Sequence, residues 1–375
     1  MKKIVKHSNN FWRFLPAIFF AALIFGPFAA NFFVSNTETL DNRPLNPRPS
    51  KISQNFPLLF DNYYNDAFAY RKNFIRLYNR IRKNAGFSQN EIVINGSGGW
   101  LFFDSFKKQG DDDSVGDYLG AVKYSDKEKE TALQNLRALN GFAAANNAKY
   151  FLFIAPNKEN VYSAYMPQKY RSARVSEVSK SDDLINYVTE KSDIKMVNLK
   201  PLFLQWENKY PLPLFQKTDT HWNETGAYLA LGEMVSYLQK AGFKINIKPF
   251  SKVIFTPEEK ELGDLGRMIN SKEKEYKYLY SFAGSAVCDN ENTDQLILKC
   301  KSEGKQNYRV LILRDSFGLA LIDPMSKMFK ETVFLKYPKQ QIIKEQISLF
   351  KPDIVIEIKV ERGSKVFIDR TFTNP

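Results

Sequence analysis

The stretch Tyr308–Gly318, YRVLILRDSFG, decides the fold of this chain. It begins with a short apolar run, which is typical of a buried strand, and polar residues and a glycine follow at once. A strand that ends in a polar turn before a helix is typical of a βαβ unit. The sequence around this stretch therefore predicts an α/β domain whose strand ends carry polar side chains.

The same alternation recurs on both sides of this stretch. The predicted strands are Tyr150–Ile154, Lys195–Leu199, Tyr308–Leu313, Thr332–Leu335 and Asp353–Ile358. The predicted helices lie around Asp182–Ser192, at Asn223–Ala241, from about Phe317, and near Gln340–Phe350. Continuously apolar strands that alternate with helices predict a mostly parallel sheet with helices on both of its faces.

Three other segments depart from this alternation. A hairpin is predicted at Glu91–Asp104, where Gly96–Gly99 separates two apolar runs. Tyr64–Lys83 is predicted to be one basic helix, and its charges fit either a solvated face or a contact with a polyanion or lipid. Residues 242–306 contain both cysteines, and we interpret them as an insertion.

The N-terminal segment predicts the compartment. Basic residues precede an uncharged run from Phe14 to Val34, and a helix of that length spans about 30 Å, the thickness of a bilayer core. The basic residues before the run place the rest of the chain outside the cytoplasm. We expect a membrane anchor in residues 1–35, with a cleaved signal peptide as the alternative, a proline-containing linker in residues 36–53, and the main domain in residues 54–375.

The two cysteines, Cys288 and Cys300, lie in the insertion. In an oxidising compartment they would form a disulfide that closes a hairpin, whereas in the cytosol they would be two buried thiols. Because the N-terminal segment predicts export, we expect the disulfide.

The charge balance limits the classes of partner. Lys and Arg number 54 against 41 Asp and Glu, a formal net charge of +13, which favours acidic polysaccharide, nucleic acid or lipid headgroups. The sequence has no RNA-recognition signature or zinc-finger spacing, so no nucleic acid partner is predicted. Neither a phosphate-binding loop nor a complete set of metal ligands is present, so no cofactor and no metal are predicted.

Polar residues that can carry acid–base chemistry fall where ligands bind to such sheets, outside the carboxyl ends of the strands. Ser316 follows a strand, and His221 is the only histidine beyond the basic N-terminal tail. His221 could take the proton of Ser316, while Asp219 orients the imidazole. The alternative is structural: Asp315 and Ser316 cap a helix, and His221 with Trp222 forms a polar pair at the start of the next helix.

Several motifs resemble segments of the alginate O-acetyltransferase family, and they occur in the same order. They are DNRPLNPRP (41–49), GGWLFF (98–103), APNKENVY (155–162), TDTHWN (218–223), RDSFG (314–318) and KPDIVIEIKVER (351–362). The resemblance implies an SGNH-hydrolase-like, flavodoxin-like fold with a circularly permuted motif order. The N-terminal segment, for its part, predicts a periplasmic location with its helix as an anchor in the inner membrane.

By this resemblance Ser316, His221 and Asp219 are the catalytic residues of an O-acetyltransferase. Its acceptor would be an alginate-like exopolysaccharide, and its acetyl donor a membrane-bound O-acyltransferase. The oxyanion donors beyond the Ser316 N–H stay open, because the serine motif departs from the common GDSL block. We expect sugar contacts from Lys158, Tyr162 and Arg314. A carbohydrate esterase with the same triad and a non-catalytic polysaccharide-binding scaffold are the alternatives.

Overall fold

The computed structural model describes residues 11–30, 33, 45–52, 54–84, 90–105, 113–207, 209–303 and 306–372. The chain divides into two compact units. The first contains Met1–Gln89 and Arg267–Asn270, and the second contains Asn90–Gly266 and Ser271–Pro375. Most of the predicted linker lies outside the described residues, and the predicted domain boundaries stay a prediction.

The helices and strands of the described chain have the following bounds. The helices are α1 (Phe11–Ala30), α2 (Phe56–Ala67), α3 (Arg71–Asn84), α4 (Ser114–Leu119), α5 (Asp126–Ala145), α6 (Lys158–Val161), α7 (Gln168–Ser172), α8 (Lys180–Lys191), α9 (Lys200–Glu207), α10 (Glu224–Lys240), α11 (Asp264–Met268), α12 (Ile322–Met328), α13 (Gln340–Phe350) and α14 (Val366–Asp369). The strands are β1 (Val93–Asn95), β2 (Leu101–Phe103), β3 (Lys149–Ala155), β4 (Lys195–Asn198), β5 (Thr256–Lys260), β6 (Glu275–Leu279), β7 (Ala286–Cys288), β8 (Ile297–Ser302), β9 (Gln306–Arg314), β10 (Phe329–Lys336) and β11 (Ile354–Val360).

The N-terminal helix corrects the prediction of a membrane anchor. Of the helices that the structure describes, none is both long and apolar enough to cross a membrane. The uncharged part of helix α1 runs from Phe14 to Ala30, where the helix ends. It covers roughly 25 Å, which is less than a bilayer core of about 30 Å. The predicted localisation, anchored to the inner membrane by this helix, is therefore wrong in its anchor.

The predicted basic helix at Tyr64–Lys83 is also different in the structure. The chain forms two helices there, α2 and α3, with a break between them. Tyr70 lies in the break and has a φ of 60°, a left-handed conformation that a helix cannot contain. The helical periodicity on either side did not reveal this break.

Seven strands of the second unit form one sheet in the order β4–β3–β11–β9–β10–β8–β7. The first five are parallel to one another. Strand β8 pairs antiparallel with β10, and β7 pairs antiparallel with β8. The predicted mostly parallel sheet is confirmed, and the insertion proves to supply the two antiparallel strands at one of its edges.

Successive side chains of the central strands pack against opposite layers of helices. In β3, Phe151 and Phe153 belong to the core that contains the apolar residues of α10 and α12. Leu152 and Ile154 belong to the core that contains those of α5, α8 and α13. Because both faces of β3 are covered, the strand is apolar from Phe151 to Ala155, and each buried side chain of this size contributes roughly 1.5–3 kcal/mol.

The insertion contains the predicted disulfide. Cys288 in β7 lies opposite Cys300 in β8, and the two are bonded. The disulfide closes a hairpin, as the sequence predicted. The remainder of residues 242–306 includes a second hairpin, β5–β6, and helix α11.

Candidate active site

Ser316 lies in the turn that follows β9, at the carboxyl end of the parallel strands. Asp315 holds this turn: its Oδ1 accepts the N–H of Phe317 at 2.8 Å, and its Oδ2 accepts the N–H of Val360, the last residue of β11, at 2.8 Å. The predicted helix from about Phe317 begins instead as a 3₁₀ turn, Ser316–Leu321. Because Asp315 supplies the cap, the half-buried Ser316 keeps its hydroxyl free of that task.

A short hairpin presents the polar residues around Asp219. Phe215 and Trp222 face each other across an isolated bridge, and the N–H of Gln216 donates to the carbonyl of His221 at 3.1 Å. Helix α10 begins directly afterwards, where the side chain of Asn223 accepts the N–H of Gly226. The helix cap thus fixes one end of the hairpin, and the polar residues form its tip.

Asp219 and His221 form a close pair at this tip. Nδ1 of His221 lies 2.6 Å from Oδ1 of Asp219, and the backbone N–H of His221 donates to the same oxygen at 3.1 Å. Burial opposes ionisation of Asp219, but the hydrogen bond and charge of His221 outweigh it and hold the pKa of Asp219 well below its usual range. The pair therefore keeps an ionised carboxylate on Nδ1.

The hairpin and the serine turn contact each other. Nε1 of Trp222 donates to the carbonyl of Phe317 at 2.9 Å, and the rings of His221 and Phe317 lie 5.1 Å apart between centroids. In the described part of the protein, Nε2 of His221 is buried without a hydrogen-bond partner, so it is not bonded to Ser316 in this structure. The residue next to Ser316 packs on the imidazole, and hydrogen bonds at such sites often tighten only when substrate binds.

Asp264 joins the Asp219–His221 pair and was not predicted from the sequence. Its backbone N–H donates to Oδ2 of Asp219 at 3.0 Å, and its Oδ1 accepts the N–H of Thr220 at 3.1 Å. Burial and the negative charge of Asp219 raise the pKa of Asp264. The neighbouring Gly263 allows this approach, because a Cβ there would lie 2.4 Å from Cβ of Asp219.

Tyr337 is a second residue that sequence reasoning missed. It follows β10 with a φ of 47°, which is unusual for a residue other than glycine. Its hydroxyl accepts the backbone N–H of Ser316 at 3.3 Å, and the amine of Lys359 lies 5.3 Å from its ring centroid. Nothing in the local sequence marks Tyr337, because only the sheet brings the ends of β9 and β10 together.

Lys158, a predicted sugar contact, is buried beneath the hairpin. Its amine donates to the backbone carbonyls of Gln216, Lys217 and Asp219. Burial lowers the pKa of Lys158 to about 8, although nearby carboxylates oppose this shift. Lys158 thus supports the backbone of the hairpin, and this geometry gives no support to a sugar contact.

Tyr162 and Arg314, the other two predicted sugar contacts, are also buried. The hydroxyl of Tyr162 accepts the N–H of Leu214 at 2.9 Å. The guanidinium of Arg314 donates to the carbonyl of Thr293 at 3.3 Å and to Oδ1 of Asp294 at 3.2 Å. Both side chains bond to the protein itself, so the geometry supports positioning of the site more than recognition of a ligand.

Asp219, His221 and Asp264 also offer ligand atoms within 4.8 Å of one another, a spacing that could hold a metal ion. Hydrogen bonds account for the same arrangement, since Asp219 bonds to the His221 ring and to the Asp264 amide. We assign no metal to this cluster.

Comparison with known proteins gives a family and a fold. The profile of the family described as SGNH hydrolase-like domain, acetyltransferase AlgX, matches residues 93–297, a segment that includes Asp219 and His221 and ends before Ser316. The chain has no match among curated proteins.

The chain is similar to three solved structures. Bacillus cereus PatB1 with a sulfonyl adduct is 17% identical, with a TM-score of 0.54 over 74% of this chain and 98% of that chain. The O-acetyltransferase domain of Pseudomonas putida AlgJ is 16% identical, with a TM-score of 0.45 over 73% and 92%. Pseudomonas aeruginosa AlgX is 13% identical, with a TM-score of 0.45 over 74% and 66%. The likeness to PatB1 supports the fold alone.

Proposed function

The chain belongs to the family of SGNH hydrolase-like domains of acetyltransferase AlgX, and from this premise we propose that it moves acetyl groups onto hydroxyls of an alginate-like polysaccharide through an acyl-enzyme on Ser316. One observation carries the proposal. Nδ1 of His221 is held 2.6 Å from Asp219, which leaves Nε2 free beside the turn that contains Ser316.

In the first half-reaction, Nε2 of His221 takes the proton of Ser316 as Oγ attacks the carbonyl carbon of an acetyl ester. The tetrahedral intermediate collapses, the bond to the donor oxygen breaks, and the imidazolium returns the proton to that leaving group. The lowered pKa of Asp219 keeps its carboxylate ionised, so it balances the positive imidazolium at each turnover.

In the second half-reaction, a sugar hydroxyl gives its proton to Nε2 of His221 and attacks the acetyl-serine. The ester bond to Ser316 breaks, and Oγ recovers the proton. The backbone N–H of Ser316 lies at the start of a 3₁₀ turn, where it can donate to the oxyanion in place of the Tyr337 hydroxyl. We further propose that a membrane-bound O-acyltransferase supplies the acetyl group.

Hydrolysis by the same triad is a second candidate, and the exposure of the site favours it. The side chain of His221 is 28% exposed and Ser316 is half-buried, so water can reach a bound acetyl group. Transfer requires that the acceptor excludes this water. The two functions therefore differ in the acceptor and share the acyl-enzyme.

The test is to incubate the purified protein with p-nitrophenyl acetate in the presence and absence of a mannuronate hexamer. The mass of the hexamer is then measured by mass spectrometry. We expect the hexamer to gain acetyl groups. Ser316→Ala should lower the yield by at least about 10³-fold, since the nucleophile is lost. Ser192→Ala is the control, because that hydroxyl lies just after α8 and bonds to backbone groups there: it donates to the carbonyl of Val188 and accepts the N–H of Ile194.

Each other outcome has a definite meaning. Acetate release that the hexamer does not change would identify an esterase and contradict transfer. Acetylation that survives Ser316→Ala would contradict the acyl-enzyme. Binding of the hexamer without any turnover in the wild type would favour the scaffold.

A further inference from the structure

Helix α3 of the first unit combines positive charge with an apolar stripe, and the candidate active site uses neither. Its sequence is RKNFIRLYNRIRKN, in which Lys and Arg number six and no Asp or Glu occurs. The apolar residues recur at intervals of three and four positions, so they fall on one face of the helix. We call this face the apolar stripe, and it consists of Phe74, Leu77, Tyr78 and Ile81.

The apolar stripe is exposed to solvent. Phe74 is 41% exposed, Leu77 52%, Tyr78 56% and Ile81 59%. A surface helix ordinarily turns such a stripe toward a core, whereas a contiguous apolar patch left in water commonly marks a site of interaction with a protein or a membrane. The exposed stripe therefore argues against a helix whose charges are merely solvated.

Helix α2 extends the apolar surface across the break at Tyr70. The rings of Phe60 and Tyr64 stack with their centroids 6.2 Å apart. The ring of Tyr64 lies 5.8 Å from that of Phe68, which lies 6.2 Å from that of Phe74 on α3. The apolar stripe thus continues into a row of aromatic rings on α2. Tyrosine rings are enriched at the boundary between lipid hydrocarbon and water, because one end of the ring is apolar and the other is polar.

The charge of this segment is predominantly positive. From Leu45 to Asn84, Lys and Arg number eight and Asp and Glu two. One of the two acids, Asp66, is buried and hydrogen-bonded to Asn46, and the other, Asp61, is exposed. Arg80 is exposed and forms no ion pair within the part of the chain that the structure describes. The segment therefore presents an excess of cations to a partner.

Charge and apolarity together select the partner. A soluble polyanion would pair with the cations and leave the apolar stripe in water. A second copy of this chain would bring the same positive face against itself, and like charges across an interface repel. An anionic lipid bilayer offers phosphates to the cations and hydrocarbon to the stripe, so it satisfies both.

We propose that α3 and the aromatic row of α2 bind the surface of an anionic lipid bilayer. The helix lies parallel to that surface, with the apolar stripe at the boundary of headgroups and acyl chains and the cations against lipid phosphates. A helix in this position does not span the bilayer. The inference is independent of acyl transfer, because it uses no residue of the candidate active site.

The experiment is sedimentation of the full-length protein with sucrose-loaded vesicles. One set contains phosphatidylcholine alone, and the other contains phosphatidylcholine and phosphatidylglycerol in equal parts. We expect the anionic vesicles to bind at least about tenfold more tightly, since each Lys or Arg near an anionic surface adds to the attraction. Added salt should weaken this binding, because it screens the charges.

Two single variants test the two components of the face. Leu77→Gln removes an apolar side chain at little cost in helix propensity, and Arg80→Gln removes a charge. Each should weaken binding to the anionic vesicles about three- to tenfold. Every variant retains helix α1, so any contribution of that apolar helix cancels in the comparison.

Matched controls come from exposed helices of the second unit. Leu349→Gln removes an exposed leucine of α13, and Arg171→Gln removes an exposed arginine of α7. Neither control should change vesicle binding. Because the apolar stripe is exposed, Leu77→Gln should also melt close to the wild-type temperature.

The variants separate the possible occupants of the face. Weaker binding in Arg80→Gln with no change in Leu77→Gln would indicate a purely ionic contact and overturn the proposal. Wild-type binding by both variants would overturn it as well. A dimer that Leu77→Gln dissociates, without any vesicle binding, would assign the face to a second copy instead.

A face that packs inside the protein has its own signature. Leu77→Gln would then keep its vesicle binding and melt several degrees lower, which would also overturn the proposal. None of these results bears on acyl transfer, because the ester assay of Ser316→Ala requires no vesicles.

Discussion

Two acid–base pairs of the second unit have similar geometry but different roles. Oδ1 of Asp219 lies 2.6 Å from Nδ1 of His221, and the two oxygens of Glu357 lie 2.8 and 2.9 Å from the guanidinium of Arg370. In both pairs burial opposes ionisation of the acid, and the basic partner outweighs it and lowers the pKa of Asp219 and of Glu357.

The two pairs differ in their exposure and in whether a nitrogen is left without a hydrogen-bond partner. Glu357 also accepts the hydroxyl of Tyr150 at 2.7 Å, and the side chains of Glu357 and Arg370 are 0% and 8% exposed. His221 is 28% exposed, and its Nε2 has no partner among the described residues. The Glu357 pair is thus closed and can only stabilise, whereas the His221 pair keeps one nitrogen available for proton transfer.

Asp219→Asn should have the largest effect on activity. The amide can hold the ring of His221 but cannot balance an imidazolium, and it can favour the wrong tautomer. We expect kcat for acetyl transfer to fall about 10³–10⁴-fold, with a melting temperature close to that of the wild type. Asp323→Asn, an exposed acid paired with Lys327, is the control. More than a tenth of wild-type activity in Asp219→Asn would contradict the assignment.

Glu357→Ala should show the opposite pattern. It leaves the buried guanidinium of Arg370 unpaired, so the free energy of unfolding should fall by about 3–5 kcal/mol. The activity per folded molecule should not change. Glu331 on β10 is a partly exposed partner of Arg309. Glu331→Ala should lower the free energy of unfolding, measured in urea, by less than about 1 kcal/mol. Equal losses in the two variants would show that closure of the pair does not matter.

Gly263→Ala would test how tightly the backbone at Gly263 packs against Asp219. A new Cβ would lie 2.4 Å from Cβ of Asp219 and 2.6 Å from the carbonyl oxygen of Thr218, so the hairpin must move. We expect a loss of about 1–3 kcal/mol in stability and a drop in kcat of about tenfold or more. Gly141→Ala, within α5 and with nothing within 4 Å, should instead stabilise by about 0.5–1 kcal/mol. A Gly263→Ala protein with wild-type kcat would contradict the tight packing.

The pH dependence of stability should distinguish Asp117 from Asp219 and Glu357. Burial, and then the charge of Glu361, raise the pKa of Asp117 to about 7. Between about pH 4 and 7 the unfolded chain has released this proton and the folded chain keeps it, so stability falls as pH rises. The lowered pKa values of Asp219 and Glu357 act in the opposite sense: their stabilisation is present above about pH 4 and is lost in acid.

Asp117→Asn should therefore flatten the decline in the free energy of unfolding between about pH 4 and 7. Urea unfolding at several pH values measures this effect, which should be smaller than that of Glu357→Ala. Wild-type and variant curves that stay parallel across this range would contradict the raised pKa of Asp117.

Apolar runs predicted the sheet well, because strands that are covered on both faces cannot contain many polar residues. The predicted strand at Tyr150–Ile154 lies within β3, and the predicted helix at Gln340–Phe350 is α13. The prediction failed where local pattern and backbone geometry disagree, as at Tyr70, and where the uncharged run after Phe14 was longer than its helix.

The sequence alone determined the five parallel strands of the sheet, the disulfide partners and the short list of groups able to move a proton, since those depend on local apolarity and on how few histidines and cysteines the chain has. Tertiary structure decided which of these groups meet. Asp264 comes from the insertion and Tyr337 from the end of β10, and both reach the site because the sheet and the insertion bring together segments distant in the chain. Burial then determined their chemistry: a side chain's pKa and accessibility depend on neighbours that the order of residues does not specify.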